Sequence, residues 1–286
     1  EGESTKDKVS LMGRLMTIRE MGKASFAHIQ DQEGQIQVYL REEDLKNFEV
    51  FKLCDLGDII GVKGEVFKTK KGEVTLWARE FVLLSKSILP LPDKFHGLQD
   101  PEIRYRQRYV DLIANSEVKK TFLLRSKIVS AVREYLDTKG FTEVDIPTLQ
   151  PVYGGASARP FKTHINAWNM DLFLSISPEL YLKRLIVGGY EKVYTICKNF
   201  RNEGVDKTHN PEFTMMECYW SGVDYEDMMK LTEELYEFVA QKVLGTTEFV
   251  YQGTKISVKR PWKRMTMYQA LQEFAKVDVQ KLSDKE

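Results

Sequence analysis

The chain has 286 residues, with 42 Lys and Arg balanced by 42 Asp and Glu and a 42% hydrophobic share. That balance excludes a global field that would draw in nucleic acid, so any RNA or phosphate binding has to be local. A charged share of 29% beside so many apolar residues excludes a wholly disordered chain, and no run approaches the ~20 apolar residues of a membrane span.

The opening EGESTKDKVS lacks a basic stretch followed by an apolar one, so secretion is not expected. Cys54, Cys197 and Cys218 form no CxxC pair, and four His leave few ligands for zinc. A soluble cytoplasmic protein without a membrane partner is the expectation. At ~150 residues per domain, the length suggests about two domains.

Residues 9–84 read as β. VSLMGRLMTI, ASFAHIQ, QIQVYL, GDIIGVKGEVFKT and EVTLWAREFVLL are rich in β-branched and aromatic residues and separated by Gly-containing turns. A helix-like stretch, EEDLKNFEVFK, falls between the third and fourth. Five strands with a helix after the third resemble an OB-fold barrel, assigned to residues 1–88.

Alternation predicts the faces of this barrel. In the second strand Ala27 and Ile29 face the core, leaving Phe26 and His28 outside. In the third, Ile36, Val38 and Leu40 turn inward and Gln35, Gln37 and Tyr39 outward. In the fifth, Val74 and Leu76 turn inward and Glu73, Thr75 and Trp77 outward. An outward Phe beside Gln, His and Glu suits single-stranded bases, the ring stacking on a base while amide and carboxylate read its edges. Packing of these residues against a neighbouring loop or helix is the alternative.

SILPLPDKFHGLQDPEIRYRQRYVD carries prolines and then a basic-aromatic run, and residues 89–116 are read as a linker. Its Arg104, Arg106 and Arg108, interleaved with Tyr105 and Tyr109, suit an RNA backbone or, equally, an ion-pair face. From 117 to 286 the pattern becomes mixed α and β, so the chain as a whole is expected to be α+β. VKKTFLLRSKIVSAVREYLDTKG places Phe122, Leu124, Ile128, Val132, Tyr135 and Leu136 near helical spacing before Gly140. SPELYLKRLIVGG reads as a short helix with Ser177 as its cap and Pro178 in first position. Asp224 is placed to cap DYEDMMKLTEELYEFVAQKVLG, whose Met228, Leu231, Leu235, Phe238 and Lys242 share one side.

VYTICKNFRNEGVDKTHNPEFTMMECYW (193–220) reads as strand, polar loop, strand. Cys197, Asn199, Arg201 and Glu203 share one face of the first arm; Phe213, Met215, Glu217 and Tyr219 share one face of the second. Ionisable groups on arms this apolar need partners. An Arg fork suits a phosphate or carboxylate, Phe213 suits a purine, and Glu217 suits an ammonium. A structural salt bridge from Arg201 to Glu203 or Glu217, with Phe213 as core, remains the alternative.

FRNEG (200–204) followed by THNPEFTMMECY (208–219) resembles motif 2 of class II aminoacyl-tRNA synthetases, in the form seen in lysyl-tRNA synthetases. MGKASF, LGDIIGVKG, FKTKKGE, LPDKFHGL, RYRQRYVDL, GGASARPF and SPELYLKRLIVGG resemble segments of the same family in the same order, so the likeness covers about residues 9–270. It implies lysine activation by ATP to lysyl-adenylate, then transfer to tRNA(Lys). Such chemistry needs alignment and charge neutralisation rather than a protein nucleophile.

By this resemblance Arg201 is the catalytic residue, bridging the α-phosphate and the substrate carboxylate. Asn202, Glu203, His209, Asn210 and Phe213 complete the ATP site, with Phe213 on adenine. Glu217 and Tyr219 would select the lysine ammonium, and Gly155 and Glu179 would contact the amino acid. Glu179 also has a local reason to be where it is, as a carboxylate in the first turn of a helix. On the barrel, Phe26, His28, Gln37 and Glu73 fall where the family binds the anticodon. KGFTEVDIPTL, with Pro147 and Thr148, resembles motif 1 and implies a homodimer.

The resemblance breaks downstream. No glycine-rich motif 3 follows the hairpin, and the carboxylates that hold magnesium in the family are missing, so a partial catalytic domain over 117–286 is expected, from a longer enzyme. YWSGVDY (219–225) also departs from the usual run. Aspartyl- or asparaginyl-tRNA synthetases share the layout, but Glu217 would repel an acidic substrate. A non-catalytic RNA-binding module is the reading from another class.

Overall fold

Alternating apolar residues close the first five strands into a barrel in the computed structural model, which describes residues 4–92 and 98–281. The chain divides into two compact units, with the boundary between residues 120 and 121. The central part of LPDKFHGL, residues 93–97, lies outside the described residues.

In the first unit, β1 (Ser4–Met21) pairs with β2 (Ala24–Gln30) along one half and with β4 (Ile59–Lys68) along the other. A register shift between Leu15 and Thr17 bends it between these partners. β3 (Gln35–Arg41) pairs antiparallel with β2 and parallel with β5 (Val74–Ser85), giving the closed order β1-β2-β3-β5-β4. The strand limits thus reach earlier than residue 9. The expected helix shortens to α1 (Phe48–Lys52), which drives Phe48 and Phe51 into the barrel beside Leu15, Ile29, Leu40 and Ile60. Burying a Phe of this kind contributes roughly 1.5–3 kcal/mol.

The expected faces hold for β2 and β3 and fail at the start of β5. Val74, expected inward, is 51% exposed, and Thr75, expected outward, is fully buried. Only Thr75, Leu76 and Trp77 pair with β3, so Val74 precedes the covered stretch. Thr75 is covered because its hydroxyl donates to Gln37 Oε1 at 2.8 Å.

α2 (Pro101–Arg106) and α3 (Arg108–Ala114) answer the question posed by the basic-aromatic run. Asp111 is fully buried and binds Arg104 Nε at 2.8 Å, the Arg108 guanidinium and Asn115 Nδ2 at 2.6 Å. Burial opposes ionisation of this carboxyl, but the hydrogen bonds from Asn115 and Arg104 and the arginine charges outweigh it and hold it below the usual carboxylate range. Arg106 pairs with Glu102 at 3.2 Å. This run therefore forms ion pairs within the linker.

The second unit is organised by a hairpin. β10 (Lys192–Phe200) and β11 (Glu212–Trp220) pair antiparallel from Lys192↔Trp220 to Phe200↔Glu212, and the two-residue β6 (Thr142–Glu143) adds in parallel to β10. Even-numbered residues Tyr194, Ile196, Met216, Cys218 and Trp220 pack on Tyr135 and Leu136 of α4 (Ser116–Thr138) and on Leu231 of α6 (Tyr225–Leu244). The odd-numbered residues are left for the opposite face. Asp224 caps α6, accepting the Glu226 and Asp227 N–H groups at 2.9 and 3.3 Å, and Gly245 ends it at φ +72°.

Only the last part of α4 behaves as its spacing suggests. Phe122, Leu124 and Ile128 are 36–45% exposed, whereas Tyr135 and Leu136 are buried. β7 (Leu149–Gln150), β9 (Met170–Leu174) and β8 (Lys162–Ile165) form a small antiparallel sheet, and the turn after β9 leads into α5 (Glu179–Val187). β12 (Glu248–Tyr251) and β13 (Thr254–Ser257) make a separate ribbon. Among the described residues, no helix is long and apolar enough to cross a membrane.

Candidate active site and nucleic-acid interface

The odd-numbered face of the hairpin carries Thr195, Cys197 and Asn199 on β10 opposite Glu217, Met215 and Phe213 on β11. Arg201 lies just past the end of β10, held by its backbone N–H to the Pro211 carbonyl at 2.9 Å. Its guanidinium lies 5.2 Å from the centre of the Phe213 ring and donates from Nε and Nη2 to the Ile176 carbonyl, each at 3.4 Å. Among the described residues Arg201 makes no ion pair, so the salt bridge to Glu203 or Glu217 left open by the sequence is not formed.

Glu217 is half-buried, and both of its oxygens are held by neutral hydroxyls. Ser177 Oγ donates to Oε1 at 3.0 Å and Tyr219 Oη to Oε2 at 3.1 Å. No cation among the described residues pairs with it. Burial first, and then the Glu217 charge, push the Tyr219 phenol well above its ordinary range, so the hydroxyl stays a donor. The same two causes raise the neighbouring Cys218 thiol to about 11. Cys197 on the site face is raised as well, chiefly by burial.

Gly155 sits at φ +86°, and a Cβ there would lie 2.8 Å from Glu179 Cβ and 3.0 Å from Ser177 Oγ. Both the left-handed backbone and the close approach demand glycine. Glu179 opens α5 and pairs with Lys183 at 2.6 Å. Ser177 acts as the cap in bonding terms, accepting the Glu179 N–H at 3.2 Å, although the helix begins one residue later than expected.

The other residues expected from the sequence to meet ATP lie on the exposed loop between the arms. Asn202 donates its N–H to the Arg159 carbonyl at 2.8 Å, and Glu203 Oε1 accepts the Arg159 N–H at 3.1 Å. With Tyr153 and Ser157 they line a cleft of about 820 Å³. His209 is drawn towards Asp206, its Nδ1 2.8 Å from Oδ2. The Asp206 carboxyl falls well below its usual range, through the Thr208 N–H first, then the Thr208 hydroxyl and His209. Asn210 is exposed.

Three of the four barrel residues, His28, Gln37 and Glu73, form one hydrogen-bonded array, and Phe26 belongs to an aromatic group. Thr75 donates to Gln37 Oε1, Gln37 Nε2 donates to Glu73 Oε2 at 2.9 Å, and His28 Nε2 lies 2.9 Å from Glu73 Oε1. His28 Nδ1 lies 2.8 Å from Thr17 Oγ1, so the ring is oriented from behind. Phe26 stacks on Tyr39 with ring centres 4.6 Å apart, and Tyr39 meets Trp77 edge-on at 5.9 Å. An aromatic shelf beside an amide and a carboxylate can stack one base and read another.

Sequence reasoning missed Ser177 and Asn199 as parts of the site. Asn199, fully buried, lies 3.0 Å by its Oδ1 from Ser175 Oγ and fixes the turn after β9. The one available signal was the polar character of Asn199 on an otherwise apolar arm.

Two family models match the chain. That of the class II tRNA synthetases (D, K and N) covers residues 100–285, and that of an OB-fold nucleic acid binding domain covers residues 9–84. A lysine–tRNA ligase of Carboxydothermus hydrogenoformans is 58% identical over 285 residues, covering 99% of this chain and 58% of that protein. One from Thermoanaerobacter sp. (strain X514) is 58% identical over 272 residues, with 94% and 54% covered. One from Methanoculleus marisnigri is 53% identical over 286 residues, with 99% and 56% covered. The chain thus spans somewhat more than half the length of these relatives.

Proposed function

The chain belongs to the class II tRNA synthetases of the D, K and N group, and we propose that it carries the anticodon-reading and amino-acid-selecting parts of a lysine–tRNA ligase. The reaction joins the lysine carboxylate to the α-phosphate of ATP with loss of pyrophosphate, then passes the acyl group to a terminal ribose hydroxyl of tRNA(Lys). The observation that carries this reading is Glu217: a half-buried carboxylate held on both oxygens by hydroxyls and lacking any cation among the described residues. A ligand ammonium supplies the missing charge, whereas an acidic substrate would be repelled.

Arg201, stacked over Phe213, neutralises the substrate carboxylate and the α-phosphate as charge develops between them. Phe213 and Glu217 are four residues apart on one arm, about 13 Å along the strand. That span suits an amino acid with a second cationic group at the end of a long side chain. Phe213 takes adenine, Asn202, Glu203, His209 and Asn210 surround the rest of ATP, and Gly155, Glu179 and Tyr219 enclose lysine. Magnesium accompanies ATP in the proposed reaction. Among the described residues no group of three His, Cys, Asp or Glu could hold a metal ion.

Calorimetry on this chain tests the reading. Lysine is expected to bind, while norleucine, which lacks the ammonium, and aspartate are not. Binding of tRNA with no binding of lysine would favour the RNA-module reading instead.

The barrel face is assigned to the anticodon. Phe26→Ala is expected to weaken binding of a tRNA(Lys) anticodon stem-loop by about 10- to 100-fold, the loss of one stacked base. ATP and lysine affinities are expected to stay as they were. Equal losses for all three ligands would count against the assignment, and fluorescence titration distinguishes the outcomes.

The protein is also assigned a homodimer, supported by the resemblance of residues 139–149 to motif 1 and by the exposed Leu123, Leu124 and Ile128 of α4. Leu124→Asp is expected to shift the sedimentation mass from two chains to one. An unchanged mass would remove α4 from the interface.

A further inference from the structure

The turn between β9 and α5 touches both ends of the candidate amino-acid site. Ile176 gives its carbonyl to the Arg201 guanidinium, and Ser177, one residue on and 3% exposed, gives its hydroxyl to Glu217. Ser175, itself buried, fastens the turn to the hairpin. Its Oγ lies 3.2 Å from the Ser177 carbonyl oxygen and 3.0 Å from Asn199 Oδ1, and its carbonyl accepts the Phe200 N–H at 2.8 Å.

Bonding fixes the direction of the Ser177 proton. Oγ accepts the Glu179 N–H, and the Glu217 carboxylate can only accept, so the hydroxyl hydrogen lies on the Ser177–Glu217 line. Gly155 closes over this hydroxyl at a distance no side chain would permit. Tyr219 meets the other oxygen from the opposite end. Each carboxylate oxygen thus has one lone pair engaged and another left for a ligand.

We propose that Ser177 is a positioning and specificity-determining residue of the amino-acid site, fixing the plane of the Glu217 carboxylate so that both oxygens face one incoming ammonium at a set depth. The proposal rests on the reading of Glu217 as the ammonium partner. Without the hydroxyl the carboxylate pivots about the single remaining contact with Tyr219. It then grips lysine less well and follows a shorter diamino acid more easily.

Calorimetry with lysine, ornithine and ATP tests this on the whole chain, beside thermal unfolding. In Ser177→Ala, the lysine Kd is expected to rise about tenfold, the loss of one charge-assisted hydrogen bond. The preference for lysine over ornithine is expected to narrow, and the ATP Kd to stay within about twofold, because Arg201 reaches the turn through the Ile176 carbonyl. Ser177→Cys keeps the volume with a weaker donor, and is expected to fall between the two. It carries the test if the alanine variant fails to fold. Unchanged lysine affinity and selectivity in either variant would overturn the proposal, as would parallel loss of lysine and ATP, which marks a merely structural turn. A wild-type chain that binds no lysine would overturn the functional reading itself, and this inference with it.

Discussion

Arg201→Ala is expected to weaken binding of a non-hydrolysable lysyl-adenylate analogue by about 100- to 1000-fold, the scale of losing one preorganised charge stabiliser. The expectation follows from how the side chain is held. Its guanidinium rests over Phe213 and touches the protein through one carbonyl, with no carboxylate among the described residues to neutralise it. The positive charge is therefore available to an anionic ligand. Arg201→Lys is expected to recover only part of the loss, because an ammonium keeps the charge but lacks the planar fork. Competition calorimetry measures both variants. An alanine variant that binds the analogue as tightly as the parent would show that the guanidinium serves packing alone.

Glu217→Gln is expected to weaken lysine binding by about a hundredfold, the cost of leaving a desolvated ammonium beside a neutral amide. The amide keeps one oxygen for one of the two hydroxyls, and the other hydroxyl has to turn and accept from the amide nitrogen, so the melting temperature is expected to fall only slightly. No cation among the described residues loses a partner. Affinity for tRNA(Lys) is expected to be unaffected, since the residue belongs to the hairpin and not to the barrel. Loss of tRNA binding with lysine binding intact would make Glu217 structural.

Much of this arrangement was legible in the residues. Alternation in β2 and β3 assigned Phe26, His28 and Gln37 to one face because each strand is paired along most of its length. It failed at Val74 and Thr75 because β5 meets β3 over only three residues, and a hydroxyl bond to Gln37 buries Thr75 regardless of its parity. Spacing placed Phe213, Glu217 and Tyr219 on one face of the hairpin, and the resemblance supplied their expected roles. Ser177 was hidden, since its bond to Glu217 spans 40 residues and arises only when the turn after β9 folds onto the arm. Helical spacing located α4 but not what covers it, because periodicity reports a stripe and says nothing of its partner. The arginine-rich linker left two readings open for a related reason: the buried Asp111 that engages Arg104 and Arg108, and so favours the ion-pair face, is inconspicuous in sequence.

Closure of the five strands has a consequence for handling the molecule. Sticky rings such as Phe26, Tyr39 and Trp77 beside an open strand margin would invite one copy to template another into fibrils. A barrel has no such margin: every strand already has two neighbours. The barrel can therefore carry a partly exposed aromatic patch at high concentration without an open strand margin beside it to seed precipitation.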